Sequence, residues 1–262
     1  MEQKLNIVGI IPARMASKHF PGKPMEDIVG MPMIGHVYNR MLLCKDFSDV
    51  YVATSDKEIT DYINSIGGKC IYTQESHIGA IDRVCEAVKK IEEQNQTTFD
   101  LVTLVQCDEP MITSDMIGRA ISPLVMDYNL KISSLMTEIT SNEVFEDPNE
   151  IKVVVDINNF ALYFSRLPIP ALRTGVMGCP QLRLLGIDVF RRDFIDEFNM
   201  MFPTPLEVAE GIDLIRVIES GMRVKMTMTD QETISVNTPQ DLKNVRELMK
   251  DDYLANKYIK RN

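Results

Sequence analysis

The sequence predicts an α/β protein: a mainly parallel sheet flanked by helices on both faces, with an inserted antiparallel subdomain. Three observations carry this. Apolar, β-branched runs such as Ile7–Ile11, Asp49–Thr54 and Leu101–Val105 alternate with segments of helical periodicity. The first of these runs is apolar throughout and the third reads as a buried strand, as in a mainly parallel sheet covered on both faces. From about residue 128 to 190 the texture changes to short strand-like pieces separated by Pro148, Pro168 and Pro170. The chain, residues 1–262, is read as one domain with that insertion at about 128–190; no repeat, low-complexity tract or linker divides it.

The elements follow in order. Ile7–Ile11 is a strand ended by Pro12, a loop with Gly, Pro and Lys comes next, and Met33–Leu43 has helical spacing of apolar positions. DVYVAT (49–54) is a strand, Lys57–Ile66 a helix closed by Gly67-Gly68, and Lys69–Tyr72 a strand. Ala80–Glu93 is an amphipathic helix, Leu101–Val105 a buried strand, and Ser114–Met126 a helix with Thr113 or Ser114 as its N-cap. Strand-like pieces at Lys131–Thr137, Ile151–Asp156 and Ala161–Ser165 form the inserted part. A helical pattern at Pro205–Gly221, a strand near Val224–Met228 and a helix from Thr238 restore the α/β style, and Asp251–Asn262 extends as a loose helix.

Composition bounds the function. With 262 residues, 45% hydrophobic and 25% charged, the chain can bury a sizeable core, which excludes a disordered or fibrous protein. Lys plus Arg is 28 against Asp plus Glu at 38, a net charge of -10, so a nonspecific grip on nucleic acid or on an anionic membrane is disfavoured. Five widely spaced cysteines without a CxxC pair are expected to be reduced, buried thiols of a cytoplasmic protein. The apolar run at Ile7–Pro12 is too short for a signal segment, and no stretch of about 18 apolar residues follows.

Against this acidic background, the segment after the first strand (PARMASKHFPGKP, 12–24) concentrates Arg14, Lys18 and Lys23 in a loop whose Gly22 permits close backbone approach. That pattern suits a phosphate cradle; the alternative is a solvated basic loop. It is neither a Walker A sequence nor GxGxxG. The strand Leu101–Val105 delivers Gln106-Cys107-Asp108-Glu109-Pro110 to its carboxyl end, where open α/β sheets bind ligands. A carboxylate there can hold Mg²⁺ against a triphosphate, or simply form an acidic turn. Together, cations and one metal carboxylate at neighbouring strand ends suit nucleotidyl transfer. His36 falls on a helix and is expected to be structural; His19 and His77 fall beside the proposed nucleotide loops. The 17 methionines are expected to fill core and interface gaps.

PARMASKHFPGKPM, VQCDEPM, IKVVVD with ALYFSRLPIP, TPLE and VNTPQDL occur in the order and approximate spacing of the 3-deoxy-manno-octulosonate cytidylyltransferases, which the chain resembles from Ile7 to about Met249. The resemblance implies a dimeric Rossmann-like α/β fold and transfer of CMP from CTP to the anomeric hydroxyl of a 2-keto-3-deoxy sugar acid, with Mg²⁺ and release of pyrophosphate, a step of surface polysaccharide synthesis. It assigns Ala13, Arg14, Lys23, Arg83 and Gln106 to the nucleotide, with Arg14, Lys23 and Asp108 catalytic. Asp108 and Asn237 match the metal positions, and Gln106, Arg166, Asp188 and Asp213 lie toward the sugar acid.

The departures matter as much. The family's SGTER-like loop is Gly79-Ala80-Ile81-Asp82-Arg83, which keeps the acid and the Arg but loses two hydroxyls. Its second metal aspartate is Asn237, whose amide oxygen can ligate without charge. Leu184 replaces a histidine, Asp188 a tyrosine, and Asp213-Leu214 a Glu-Gln pair. These changes imply an altered acceptor, because a site lacking hydrogen-bond partners cannot select the same hydroxyls. The competing readings are a nucleotidyltransferase with another base or acceptor, and a catalytically silent nucleotide-binding regulator.

Overall fold

The computed structural model describes residues 5–16, 20–77, 79–171 and 178–259; Lys18 and His19 of the basic loop lie outside them. In chain order the elements are β1 (Ile7–Pro12), β2 (Asp27–Ile28), β3 (Met31–Pro32), α1 (Met33–Leu42), β4 (Asp49–Thr54), α2 (Lys57–Ser65), β5 (Cys70–Tyr72), α3 (Ala80–Asn95), β6 (Leu101–Val105) and α4 (Ser114–Met126). There follow β7 (Ile132–Glu138), α5 (Asn142–Glu146), β8 (Lys152–Val155), β9 (Ala161–Ser165), β10 (Leu182–Arg191), α6 (Arg192–Asn199), α7 (Pro205–Glu210), α8 (Leu214–Glu219), β11 (Lys225–Thr229), α9 (Pro239–Met249) and α10 (Ala255–Tyr258). The chain divides into two compact units, residues 1–118 with 232–262, and residues 119–231.

In the first unit the strands run in the order β6, β1, β4, β5, all parallel. Every residue of β1 and β6 is buried, Thr103 of β6 included, as in parallel strands covered on both faces. Ile10 stands opposite Tyr51 on one side and Leu104 on the other, so the loops after Pro12 and Val105 leave the sheet from neighbouring carboxyl ends. The helices bury stripes at helical spacing: Met33, Ile34, Val37 and Met41 on α1, and Ile81, Val84, Val88 and Ile91 on α3. Gly9 lies where a Cβ would sit 2.5 Å from the terminal methyl of Met41 and 3.2 Å from the Phe47 ring, so any larger residue would make Met41 move.

The C-terminal segment completes this unit. Thr238 caps α9 in a reciprocal box with Asp241, and Pro239 occupies the first turn. Leu242, Val245 and Met249 then pack with Ile28, Met33, Val236 and Ala255. His36 is structural, as expected: fully buried, it bonds the Ile28 carbonyl at 2.7 Å and the Tyr258 hydroxyl at 2.9 Å. Burial pushes its pKa down to about 4, so the ring is neutral near pH 7. Arg40, equally buried, donates to the Ile112 carbonyl and pairs with Asp252 at 2.9 Å. All five cysteines are free thiols, but only Cys44 and Cys85 are buried; Cys179 is exposed, contrary to the sequence expectation.

The second unit holds the antiparallel part. β7 lies between β10, antiparallel, and β11, parallel, while β8 pairs antiparallel with both β9 and β10. The longest strand, β10, escapes the sequence reading because Arg183, Gly186 and Asp188 interrupt its apolar pattern. Those interruptions coincide with a bulge, at which the register on β7 shifts between Leu185 and Asp188. The helical pattern at Pro205–Gly221 is two short helices: Gly211, at φ +65°, ends α7, and α8 begins three residues later. A buried pair joins them, with Arg216 Nε 2.8 Å from a Glu207 oxygen.

Candidate active site

A cavity of about 190 Å³ opens at the carboxyl ends of β1 and β6, lined by Ala13, Arg14, Lys23, Arg83, Gln106 and Asp108 with Pro12, His77, Gly79, Ala80 and Cys107. Six residues singled out in the sequence thus converge on one space from three segments. Each is placed by local structure. Ala13 donates its N–H to the Ala53 carbonyl at 2.9 Å, prolonging the β1–β4 pairing by one residue beyond the strand. The next residues turn away because the Met15 N–H is taken by the Asp56 carboxylate at 2.8 Å, fixing Arg14 at the rim. Gly22, at φ +77°, leads into a short 3₁₀ turn that starts at Lys23 and carries Pro24 in its first turn.

Lys23 and Asp108 are the electrostatic centre. The ammonium Nζ lies 2.5 Å from Asp108 Oδ2, with side chains 12% and 23% exposed, so the pair is sheltered yet open to a ligand. Burial alone would lower the Lys23 pKa, but Asp108, helped by Cys107 and Glu109, carries it above the ordinary value, and the ammonium is fully charged at neutral pH. Cys107 between them is no rival nucleophile, since burial pushes its thiol up to about 12. Arg83 is buried on the first turn of α3, where its guanidinium donates to the Thr73 hydroxyl at 2.5 Å; burial, then the neighbouring charge of Arg14, lowers its pKa. Two cationic side chains close enough to perturb one another at a cavity make a receptor for an anion.

Asn237 belongs to the same unit. The preceding residue, Val236, donates its N–H to the Asp108 carbonyl at 2.9 Å, and the Asn237 N–H is held by Asp241 at 3.0 Å. The segment bearing Asn237 is therefore stitched directly to the residue bearing the cavity carboxylate. Beside it, Ser235 donates to the buried Glu109 at 2.5 Å. Asp56 and the Ser235–Glu109 contact lay beyond the sequence reading, because carboxylates that hold backbone or hydroxyl groups carry no motif.

Arg166, Asp188 and Asp213 are in the second unit. Arg166 follows β9 and is clamped by Glu210: the backbone N–H donates to its carboxylate at 2.9 Å, and Nε donates to its carbonyl at 2.7 Å. Nη1 donates to the Pro148 carbonyl at 3.0 Å. Asp188 sits at the β10 bulge, buried, accepting from the Ser134 hydroxyl at 2.6 Å. Burial first, and then the nearby Asp213, raise its pKa to about 7, so these two acids face one another electrostatically. Among the described residues no group of three His, Cys, Asp or Glu converges as a metal cage.

A parallel sheet with a cationic cavity and one carboxylate at its strand ends, built on this connectivity, defines a nucleotidyltransferase. A profile of the cytidylyltransferase family matches residues 8–232. The 3-deoxy-manno-octulosonate cytidylyltransferase of Geobacter metallireducens is 40% identical over 255 residues, covering 93% of this chain and 97% of that protein. A solved structure of CMP:2-keto-3-deoxy-manno-octonic acid synthetase complexed with CTP superposes with a TM-score of 0.82 at 34% identity, covering 93% of this chain and 98% of that one. The 4-diphosphocytidyl-2C-methyl-D-erythritol synthase of Anaerococcus prevotii, 14% identical with a TM-score of 0.62 over 94% of this chain and 99% of that one, shares the fold. The chain belongs to the cytidylyltransferase family, among the 3-deoxy-manno-octulosonate cytidylyltransferases.

Two measurements test this geometry. Lys23→Ala is expected to lower turnover on the order of 10²-fold, the effect of removing one preorganised charge from a phosphoryl transition state, as read by steady-state pyrophosphate release. Asp188 binds its proton more tightly folded, near pH 7, than unfolded, near 3.9. Stability is thus expected to fall as pH rises from about 4 to 7 and then level off. Asp188→Asn should remove that slope in urea titrations taken across the range, gaining most over the parent above pH 7.

Proposed function

We propose that this protein transfers CMP from CTP to a 2-keto-3-deoxy sugar acid, releasing pyrophosphate, as a homodimer in the cytoplasm, where CTP is made. The observation that carries the reading is the Lys23–Asp108 pair, 2.5 Å apart at the floor of a cavity rimmed by Arg14 and Gln106. In the reaction, the anomeric hydroxyl oxygen of the acceptor forms a bond to the α-phosphorus of CTP as the bond from that phosphorus to the pyrophosphate oxygen breaks, and the hydroxyl proton is released to solvent. Lys23 and Arg14 bind the phosphate oxygens on which charge builds; their positions are set by the fold, so no reorganisation cost falls on the chemical step. Arg166, with its guanidinium oriented by Glu210 and Pro148, is the candidate for the acceptor carboxylate. The exposed apolar side chains of the second unit, Leu162, Leu167, Phe202 and Val208 among them, support the dimer.

The donor set fits Mg²⁺. Asp108 and Asn237 offer only oxygen, on backbone segments joined through Val236, and a hard cation bound to a triphosphate needs one or two protein ligands rather than a cage. When bound, such an ion neutralises phosphate charge. Asp108 supplies the only carboxylate of this pair, and Asn237 a neutral oxygen.

The direct experiment is pyrophosphate release from CTP with Kdo and a panel of other 2-keto-3-deoxy acids. Turnover on at least one acceptor is expected, with another acid preferred to Kdo because Leu184, Asp188 and Leu214 replace polar or aromatic partners. CTP binding with no turnover on any acceptor would favour a silent regulator instead. Asp108→Asn should nearly abolish activity, whereas Asn237→Asp should lower the Mg²⁺ concentration needed for half-maximal rate; an unchanged Mg²⁺ dependence would remove position 237 from the metal site.

A further inference from the structure

We propose that His77 reads the base of the nucleotide, its Nδ1 accepting a hydrogen bond from the exocyclic amino group of cytosine, with Glu86 as the positioning residue that sets the ring for this. The inference rests on the nucleotide assignment of the cavity made above and adds what distinguishes CTP from UTP there.

His77 lines the same cavity as Gly79, Ala80, Arg83 and the Lys23–Asp108 pair. Its Nε2 is hydrogen-bonded to the Glu86 carboxylate on α3. Glu86 is held in turn: Oε2 accepts the Gln74 N–H at 2.9 Å, and Oε1 lies 2.6 Å from Lys90 Nζ. Burial alone would raise the Glu86 pKa, but Lys90, the Gln74 amide and His77 together hold it at about 2, so Glu86 is a carboxylate at any working pH.

A carboxylate accepts hydrogen bonds and donates none, so the hydrogen shared with His77 belongs to Nε2. The tautomer is thereby assigned from the network, and in the neutral ring Nδ1 presents a lone pair. Such a lone pair is matched badly to a triphosphate, whose oxygens are acceptors too, and well to an N–H donor. Cytosine carries an amino donor at the position where uracil carries a carbonyl acceptor. In its neutral form the ring therefore attracts one pyrimidine and opposes the other, which is selection by an unfavourable contact as well as a favourable one. Gly79 and Ala80, where the family has hydroxyl and glycine positions, bring little bulk to this side of the cavity and no side-chain hydrogen-bonding group. In this segment the side-chain hydrogen-bonding groups that line the cavity are those of His77 and Arg83.

The test is calorimetric binding of CTP, UTP and the triphosphate of 2-pyrimidinone riboside, which lacks only the amino group, to the full chain with Mg²⁺. The parent should bind CTP about tenfold more tightly than the 2-pyrimidinone analogue, the worth of one hydrogen bond in a sheltered site, and more tightly still than UTP. His77→Ala should bring CTP and the analogue to within about twofold of each other. Glu86→Gln, whose amide supports either tautomer, should narrow the gap between CTP and UTP while leaving the fold unchanged by circular dichroism. A folded His77→Ala protein that keeps the parent ratio would overturn the proposal, and so would equal binding of CTP and the analogue by the parent, a result that needs no variant. Absence of pyrophosphate release by the parent would count against the transfer reaction and not against His77, since the binding ratios are read without turnover.

Discussion

The parallel pairing of β1 with β6 is the constraint on which the rest depends. Because Ile10 stands level with Leu104, both chains leave the sheet side by side, one into the segment bearing Arg14 and Lys23 and the other into Gln106-Cys107-Asp108. An ammonium and a carboxylate far apart in sequence meet at hydrogen-bond distance without either reaching across open solvent. Antiparallel pairing would send the two loops to opposite edges, and the same residues would form two unrelated surface features. The neighbouring β4 adds the second anchor, since its trailing Asp56 captures the Met15 amide just beyond Arg14.

The site shows how positive charge is concentrated on a chain of net negative charge. Arg83 gives up exposure and bonds a single hydroxyl, Lys23 keeps its charge through one carboxylate, and Arg14 stays at the rim. The net charge of -10 disfavours polyanions in general, while Arg14, Lys23 and Arg83 gather positive charge around one cavity. Acids do the holding in the second unit as well: Glu210 fixes the Ser165–Arg166 turn through three donors, and Glu207 locks Arg216.

Legibility in the sequence followed burial and periodicity. Asp49–Thr54, Leu101–Val105, Ser114–Met126 and Ala161–Ser165 have the boundaries that their patterns suggest, because continuous apolar runs and stripes leave no competing register. The cavity residues of the first unit were equally legible, since loops at strand ends carry the motifs. What the pattern hid has physical causes. β10 contains a bulge that breaks its alternation to bury Asp188, and α7 and α8 are parted by one left-handed glycine inside a continuous helical stripe. Glu86, Asp56 and Glu210 are surface-type residues by composition, and only the fold shows that each one holds another group in place.

The hydrogen bond from Val236 to Asp108 has a consequence for the order in which the protein is made. A ribosome delivers β1, β4, β5 and β6 early, yet Asp108 must wait for a partner encoded beyond the whole of residues 119–231. The first unit is therefore finished last: its sheet emerges with the Asp108 carbonyl unmet and with the apolar face of Ile28 and Met33 uncovered until α9 arrives. Contacts of such long sequence separation close slowly, after the local pairing of β1 with β4. The loop that carries Asp108 is thus closed by a segment more than a hundred residues downstream, and a chain cut after β6 would lack that contact.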